Sequence, residues 1–188
     1  MKKLALFVTI VFISLNILGQ ETEKKYPQDL NKKYELKLNA FNLIVFNSLD
    51  VSFEKLINKD LSFGVSLFYN FTDIVNADVY INRKFSLTPY YRWFFNESRF
   101  ARGFFVEGFG MLNTQHDYFY NTNNSSSVEY QTGFALGISL GGKFVTKNGF
   151  TTEVLLGVGR NLISEKNRDD FIDTNIVGRF SISLGYRF

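Results

Sequence analysis

Cysteine is absent from the chain, which excludes disulfide staples, thiol catalysis and the lipidated cysteine of a bacterial lipoprotein. Histidine occurs once, as His116, so any His-dependent chemistry has a single place to start from. Proline occurs only twice in 188 residues. Together with 22 phenylalanines and 18% aromatic content, this sets the chain apart from disordered compositions and suits one ordered domain. Long apolar runs are also scarce. The one at Leu4–Leu18 is interrupted by Ser14 and Asn16 and falls short of the roughly 20 residues a spanning helix needs. No later stretch is long enough either.

What that first run offers instead is an export signal. "MKKLALFVTIVFISLNILGQ" has two lysines, an apolar centre and a small residue, Gly19, suited to cleavage. Residues 1–19 are therefore expected to be a signal peptide and 20–33, polar and without period, a flexible periplasmic leader. Removing Lys2 and Lys3 with the signal takes the formal charge of +3 down by two, to nearly neutral. With no basic face and no recognised motif, nucleic acid is not expected as a partner.

From Tyr34 to the end, apolar and polar residues alternate in eight segments: 34–46, 49–56, 61–72, 83–95, 103–115, 128–144, 150–162 and 174–188. Alternation with period two marks strands with one apolar face. Most of these exceed the usual strand and approach the roughly 9–11 residues that a tilted strand uses to cross a bilayer. Their connections alternate as well. Short ones at 58–60, 96–101 and 146–149, the last with the Asn148-Gly149 pair of a tight hairpin, intersperse with long ones at 73–82, 116–127 and 163–173. The pattern predicts an all-β fold, an eight-stranded antiparallel up-and-down transmembrane β-barrel over 34–188, with short turns on one rim and long loops on the other. The connection near Asn47 and Ser48 is short where a long one is due.

The polar register decides which face meets lipid. In the sixth segment Glu129, Gln131, Gly133, Ala135, Gly137, Ser139, Gly141 and Lys143 alternate with Tyr130, Phe134, Leu136, Ile138, Leu140 and Phe144. Small residues suit a lumen only just wide enough for side chains. An Arg or Lys turned to mid-depth lipid would cost about 2–4 kcal/mol. Arg92, Glu107, Lys143, Glu153 and Arg179 are accordingly expected inside as a polar network with Tyr90, Thr88, Ser66 and Asn70, structural rather than catalytic. Trp93, Phe95, Phe104, Phe144, Phe150, Tyr186 and Phe188 gather in the outward register near the short-turn rim as an aromatic girdle, with Tyr69, Phe71 and Tyr130 opposite. Pro89 also falls outward, where its missing N–H predicts a bulge or a break in the ladder.

Stretches such as "KLNAFNLIVFNSLDVSFEKLINKDLSFGVSL", "SLTPYYRWFF", "ARGFFVEGFG", "GISLGGKFVTKNGFTTEVLLGVG" and "GRFSISLGYRF" resemble an uncharacterised family of small outer-membrane β-barrels of Gram-negative bacteria. More distantly, the chain is similar to OmpA and OmpX-type barrels. The resemblance implies outer-membrane lipid and lipopolysaccharide as surroundings. It also implies recognition of the C-terminal strand, ending in Phe188, by the barrel-insertion machinery. It specifies no reaction.

The residues add little chemistry. His116 with Asp117, Ser125, Ser126, Ser127 and Glu129 could assemble a triad of a lipid A-modifying enzyme, but no nucleophile elbow accompanies them. Asp169, Asp170 and Asp173 lack the spacing of a calcium loop, and Glu107 and Glu153 are expected to be ion-paired rather than free for glycoside cleavage. No cofactor motif is present. A non-catalytic structural or surface-interaction role through the long loops is the expectation, with a lipid A-modifying enzyme, a soluble periplasmic lipocalin-like barrel and a narrow pore as the alternatives.

Overall fold

A computed structural model describes residues 32–71, 83–95, 99–120, 126–164 and 176–188, with the side chains of 116–120, 126–129 and 164 outside that description. The expected signal peptide, the leader up to residue 31, the loop 73–82, and residues 121–125 and 165–173 of the other two long loops lie outside the described residues.

Alternating residues from Tyr34 onward form eight strands and one short helix: β1 Tyr34–Asn39, α1 Ala40–Phe46, β2 Ser48–Leu56, β3 Leu61–Asn70, β4 Arg83–Phe94, β5 Gly103–Tyr120, β6 Ser126–Val145, β7 Phe150–Ser164 and β8 Ile176–Arg187. Each strand pairs antiparallel with its neighbours in sequence, and β8 closes the barrel on β1. Closure sets Leu36 opposite Tyr186 and Leu38 opposite Leu184. At its end the Phe188 N–H donates to the Tyr34 carbonyl at 2.8 Å, and the Phe188 carbonyl accepts from Tyr34 at 3.0 Å. Between β6 and β7, Gly149 takes a φ of +100°, the conformation that a tight turn asks of glycine. The Thr146 N–H donates to the Phe150 carbonyl across that turn at 2.8 Å.

Two expectations are corrected. The first segment, 34–46, is not one strand, because the chain leaves the sheet at Asn39 and coils into α1. Asn39 caps the helix, its side chain accepting from the Asn42 N–H at 3.2 Å, and Asn47 ends it in the left-handed conformation at φ 48°. The first connection thus spans 40–47, so the apparent short loop at Asn47 and Ser48 disappears. The third loop, expected over 116–127, is narrower too: β5 continues to Tyr120 and β6 starts at Ser126, with His116 opposite Tyr130 and Asp117 opposite Glu129 in the ladder.

Pro89 produces a break rather than a bulge. The β4–β5 ladder pairs Leu87 with Leu112 and resumes at Tyr90 with Phe109, in unchanged register, while the register shift falls between Arg83 and Phe85.

Inside the barrel, two apolar clusters occupy different depths. One, near the short-turn rim, holds Leu56, Phe94, Ala101, Phe105 and Leu155; the other holds Tyr90, Phe109, Met111, Ala135 and Val177. The inward rings lie directly against glycines. A Cβ on Gly64 would run into the Tyr90 ring, and one on Gly141 into Phe105. Glycine at these positions lets large side chains enter a narrow lumen.

Candidate functional site

The polar register converges on one interior cluster. β1 supplies Glu35 and Lys37, β2 Glu54, β4 Arg92, β5 Glu107, β6 Lys143, β7 Glu153 and β8 Arg187, all 2% exposed or less. Arg92 sits at the centre. Its Nε donates to Glu107 at 2.7 Å, its Nη1 to Glu54 at 2.8 Å, and its two terminal nitrogens to the two Glu153 oxygens at 2.7 and 2.8 Å. Its guanidinium also lies 4.4 Å from the ring centroids of Tyr90 and Phe105, adding cation–π contacts.

The remaining acids are shared in the same way. Glu54 accepts from Lys37 at 2.5 Å and from Lys143 at 2.6 Å. Glu35 accepts from Lys143 at 2.8 Å and from the Nε of Arg187 at 2.8 Å. Lys37 donates to Glu153 at 2.8 Å. Removing such charges from water costs several kcal/mol each, and only multiple well-placed partners offset it. Every acid here has at least two. Arg187 additionally donates to the carbonyls of Phe100 at 3.0 Å and Ala101 at 2.8 Å, fastening the turn before β5, where Ala101 is held at φ 44°.

Arg92, Glu107, Lys143 and Glu153 thus meet in one cluster, and Arg179 joins it through Glu107 while keeping a side-chain exposure of 12%. Tyr90 reaches Glu54 at 3.4 Å. Thr88 and Ser66 line a cavity on the α1 side of the cluster, Ser66 donating to Asp50 at 2.7 Å, and Asn70 is buried facing inward. Glu35, Lys37, Glu54 and Arg187 complete the network beyond the residues expected in it, although each alternates with an apolar neighbour, Leu36, Leu38, Phe53 and Tyr186, and Arg187 shares the polar register of Arg179.

The cavity measures about 550 Å³ and is walled by α1, β2, β3, β4, β5, β7 and β8, with Arg92 and Glu153 at its floor. Asn39 anchors the α1 wall. Its Nδ2 donates to Asp50 at 2.9 Å and to the Phe180 carbonyl at 3.3 Å, and its Oδ1 accepts from the Ile182 N–H at 3.3 Å. These bonds occupy the edge of β8 beyond its last pair with β1, Asn39 opposite Ser183.

The outer surface is the converse. Trp93, Phe95, Phe104, Phe144, Phe150, Tyr186 and Phe188 are all exposed, Phe104 at 78%, and lie toward the short-turn rim; Tyr69, Phe71 and Tyr130 are exposed toward the other. Between them face Phe63, Leu67, Leu136, Ile138, Leu140, Val154, Leu156, Phe180, Ile182 and Leu184. The outward charges Lys55 and Arg160 stand near strand ends, Arg160 opposite Ile176, the first residue of β8. The side chain of His116 and its acid and serine neighbours, like Asp169, Asp170 and Asp173, lie outside the described residues. Among the described residues no group of three or more His, Cys, Asp or Glu is placed to hold a metal ion.

Fold and interior together define a small closed antiparallel β-barrel, ionised within and apolar without. A family model described as "Protein of unknown function (DUF3575)" matches residues 6–174, and the chain belongs to that family. Comparison with curated proteins and with solved structures gave no match.

Proposed function

We propose that this barrel is an integral protein of the outer membrane of a Gram-negative bacterium. Residues 1–19 direct its export, and its role is structural or surface-interactive, carried by the connections between β3 and β4, β5 and β6, and β7 and β8. The observation that carries the reading is the placement of charge and oil: an ion-paired interior under a continuous apolar exterior. Water-soluble monomers rarely expose contiguous apolar patches beyond a few hundred Å², whereas lipid-facing strands need such a belt, with aromatics near its edges. A lipocalin-like barrel would turn its oily side chains inward around a pocket and leave its charges outside.

The reading is non-catalytic and non-conducting. One histidine without a nucleophile elbow gives a lipid A hydrolase little to work with. The eight charges of the central cluster, at 2% exposure or less, leave no water-wide passage at their depth among the described residues. Outer-membrane lipid and lipopolysaccharide would surround the belt, and the insertion machinery would recognise β8 with Phe188.

Fractionation of cells expressing the full chain tests the reading. The protein should stay in the membrane pellet through alkaline carbonate washing and run at a different gel mobility unheated than boiled. Release by osmotic shock without detergent would overturn it.

A further inference from the structure

We propose that the cavity between α1 and the ion cluster binds a small organic oxyanion, a carboxylate or phosphate ester carrying a compact apolar group, with Arg83 and Arg179 meeting its charge. The inference stands on the barrel interior alone and goes beyond the membrane reading. At about 550 Å³, the cavity falls in the range of small-molecule sites, about 300–1,000 Å³.

Its charges do not balance internally. Arg83, Arg92 and Arg179 line it against the carboxylates of Asp50 and Glu153. Glu153 is ion-paired with Arg92 and Lys37, while the Asp50 oxygens are taken by neutral donors, Asn39 and Asn42 at 2.9 Å each and Ser66 at 2.7 Å, so that Asp50 attracts Arg83 without a hydrogen bond between them. Arg92 is saturated by its three glutamates. Arg179 gives one nitrogen to Glu107.

Arg83 is the group left over. Its Nη2 donates to the Gly178 carbonyl at 2.8 Å and its guanidinium lies 5.6 Å from the Phe68 ring centroid. Its Nε is closed to solvent and has no hydrogen-bond partner among the described residues. A guanidinium with a single carbonyl acceptor is under-satisfied, and an oxyanion in the cavity, meeting it through Nη1, which carries no hydrogen bond among the described residues, supplies a charged acceptor. Phe41, Phe46, Phe68 and Met111 form the apolar part of the wall, which suits a compact hydrocarbon or aromatic group next to the charged head.

Titration calorimetry of the folded full chain with phenyl phosphate, benzoate and neutral benzyl alcohol tests the site. Saturable binding of one or both anions, and none of the alcohol, is expected. Arg83→Gln should weaken anion binding by about tenfold or more, the range for a lost hydrogen bond to a charged group, and Arg83→Lys should weaken it less. Dihexanoyl phosphatidic acid serves as competitor. Displacement assigns the head group of a lipid as the natural source; its failure against a bound phenyl phosphate assigns a soluble anion. No saturable heat from either anion up to about 10 mM, equal binding of the alcohol, or unchanged binding in both Arg83 variants overturns the proposal.

Discussion

Arg92 serves Glu54, Glu107 and Glu153 at once, and at 2% exposure it has no water to share them with. Replacing it with methionine would keep most of the volume and remove the charge that three buried carboxylates face. Breaking a buried pair from one side costs about 3–5 kcal/mol, so Arg92→Met is predicted to lower the unfolding free energy by at least that much in urea titrations. A midpoint equal to the wild type would contradict the assignment. Period-two alternation was sufficient to turn Arg92, Glu107, Lys143, Glu153 and Arg179 to one face. It carries no information on depth along the strand or on which strands meet. Lys37 and Glu153, 116 residues apart, touch only because the barrel closes. In the doublets Phe94-Phe95 and Phe104-Phe105 one member faces in and the other out; register sets Phe95 and Phe104 outward, but it does not show that Phe94 and Phe105 pack together as rings inside the lumen.

α1 is the element that alternation misread. "AFNLIVF" continues the apolar character of β1, and a short apolar run does not distinguish strand from helix. The signals were Asn39 and Asn47 at its two ends, both residue types suited to caps. Ending β1 at Asn39 leaves the edge of β8 from Phe180 to Ile182 without a strand on that side, and the Asn39 amide fills the gap. Asn39→Ala is therefore predicted to cost about 2 kcal/mol, combining a lost helix cap with an unpaired Ile182 N–H. Hydrogen exchange should show the Ile182 amide less protected while the β4–β5 ladder is unaffected. Equal protection at Ile182 would mean the bond contributes nothing. The strand ends that bound the long connections fall at the same rim as α1, although β5 and β6 extend further toward each other than the loss of alternation near His116 implied.

At the scale of the whole molecule, strand number and order followed from simple alternation because each connection is local, so that neighbours in sequence become neighbours in the barrel, whereas the inward face was legible only from the small and charged residues of the polar register. Closure by β8 was legible from its two-faced pattern of Phe180, Ile182, Leu184, Tyr186 and Phe188. On the proposed membrane reading, the apolar exterior meets hydrocarbon. Trp93 is the sole tryptophan, outward and 56% exposed beside Phe95, so it reports on that surface without interference. Refolded into vesicles containing lipids brominated at successive acyl positions, the protein should lose Trp93 fluorescence most to bromines near the head-group end of the chain. Emission unaffected by bromine at every depth would contradict the claim.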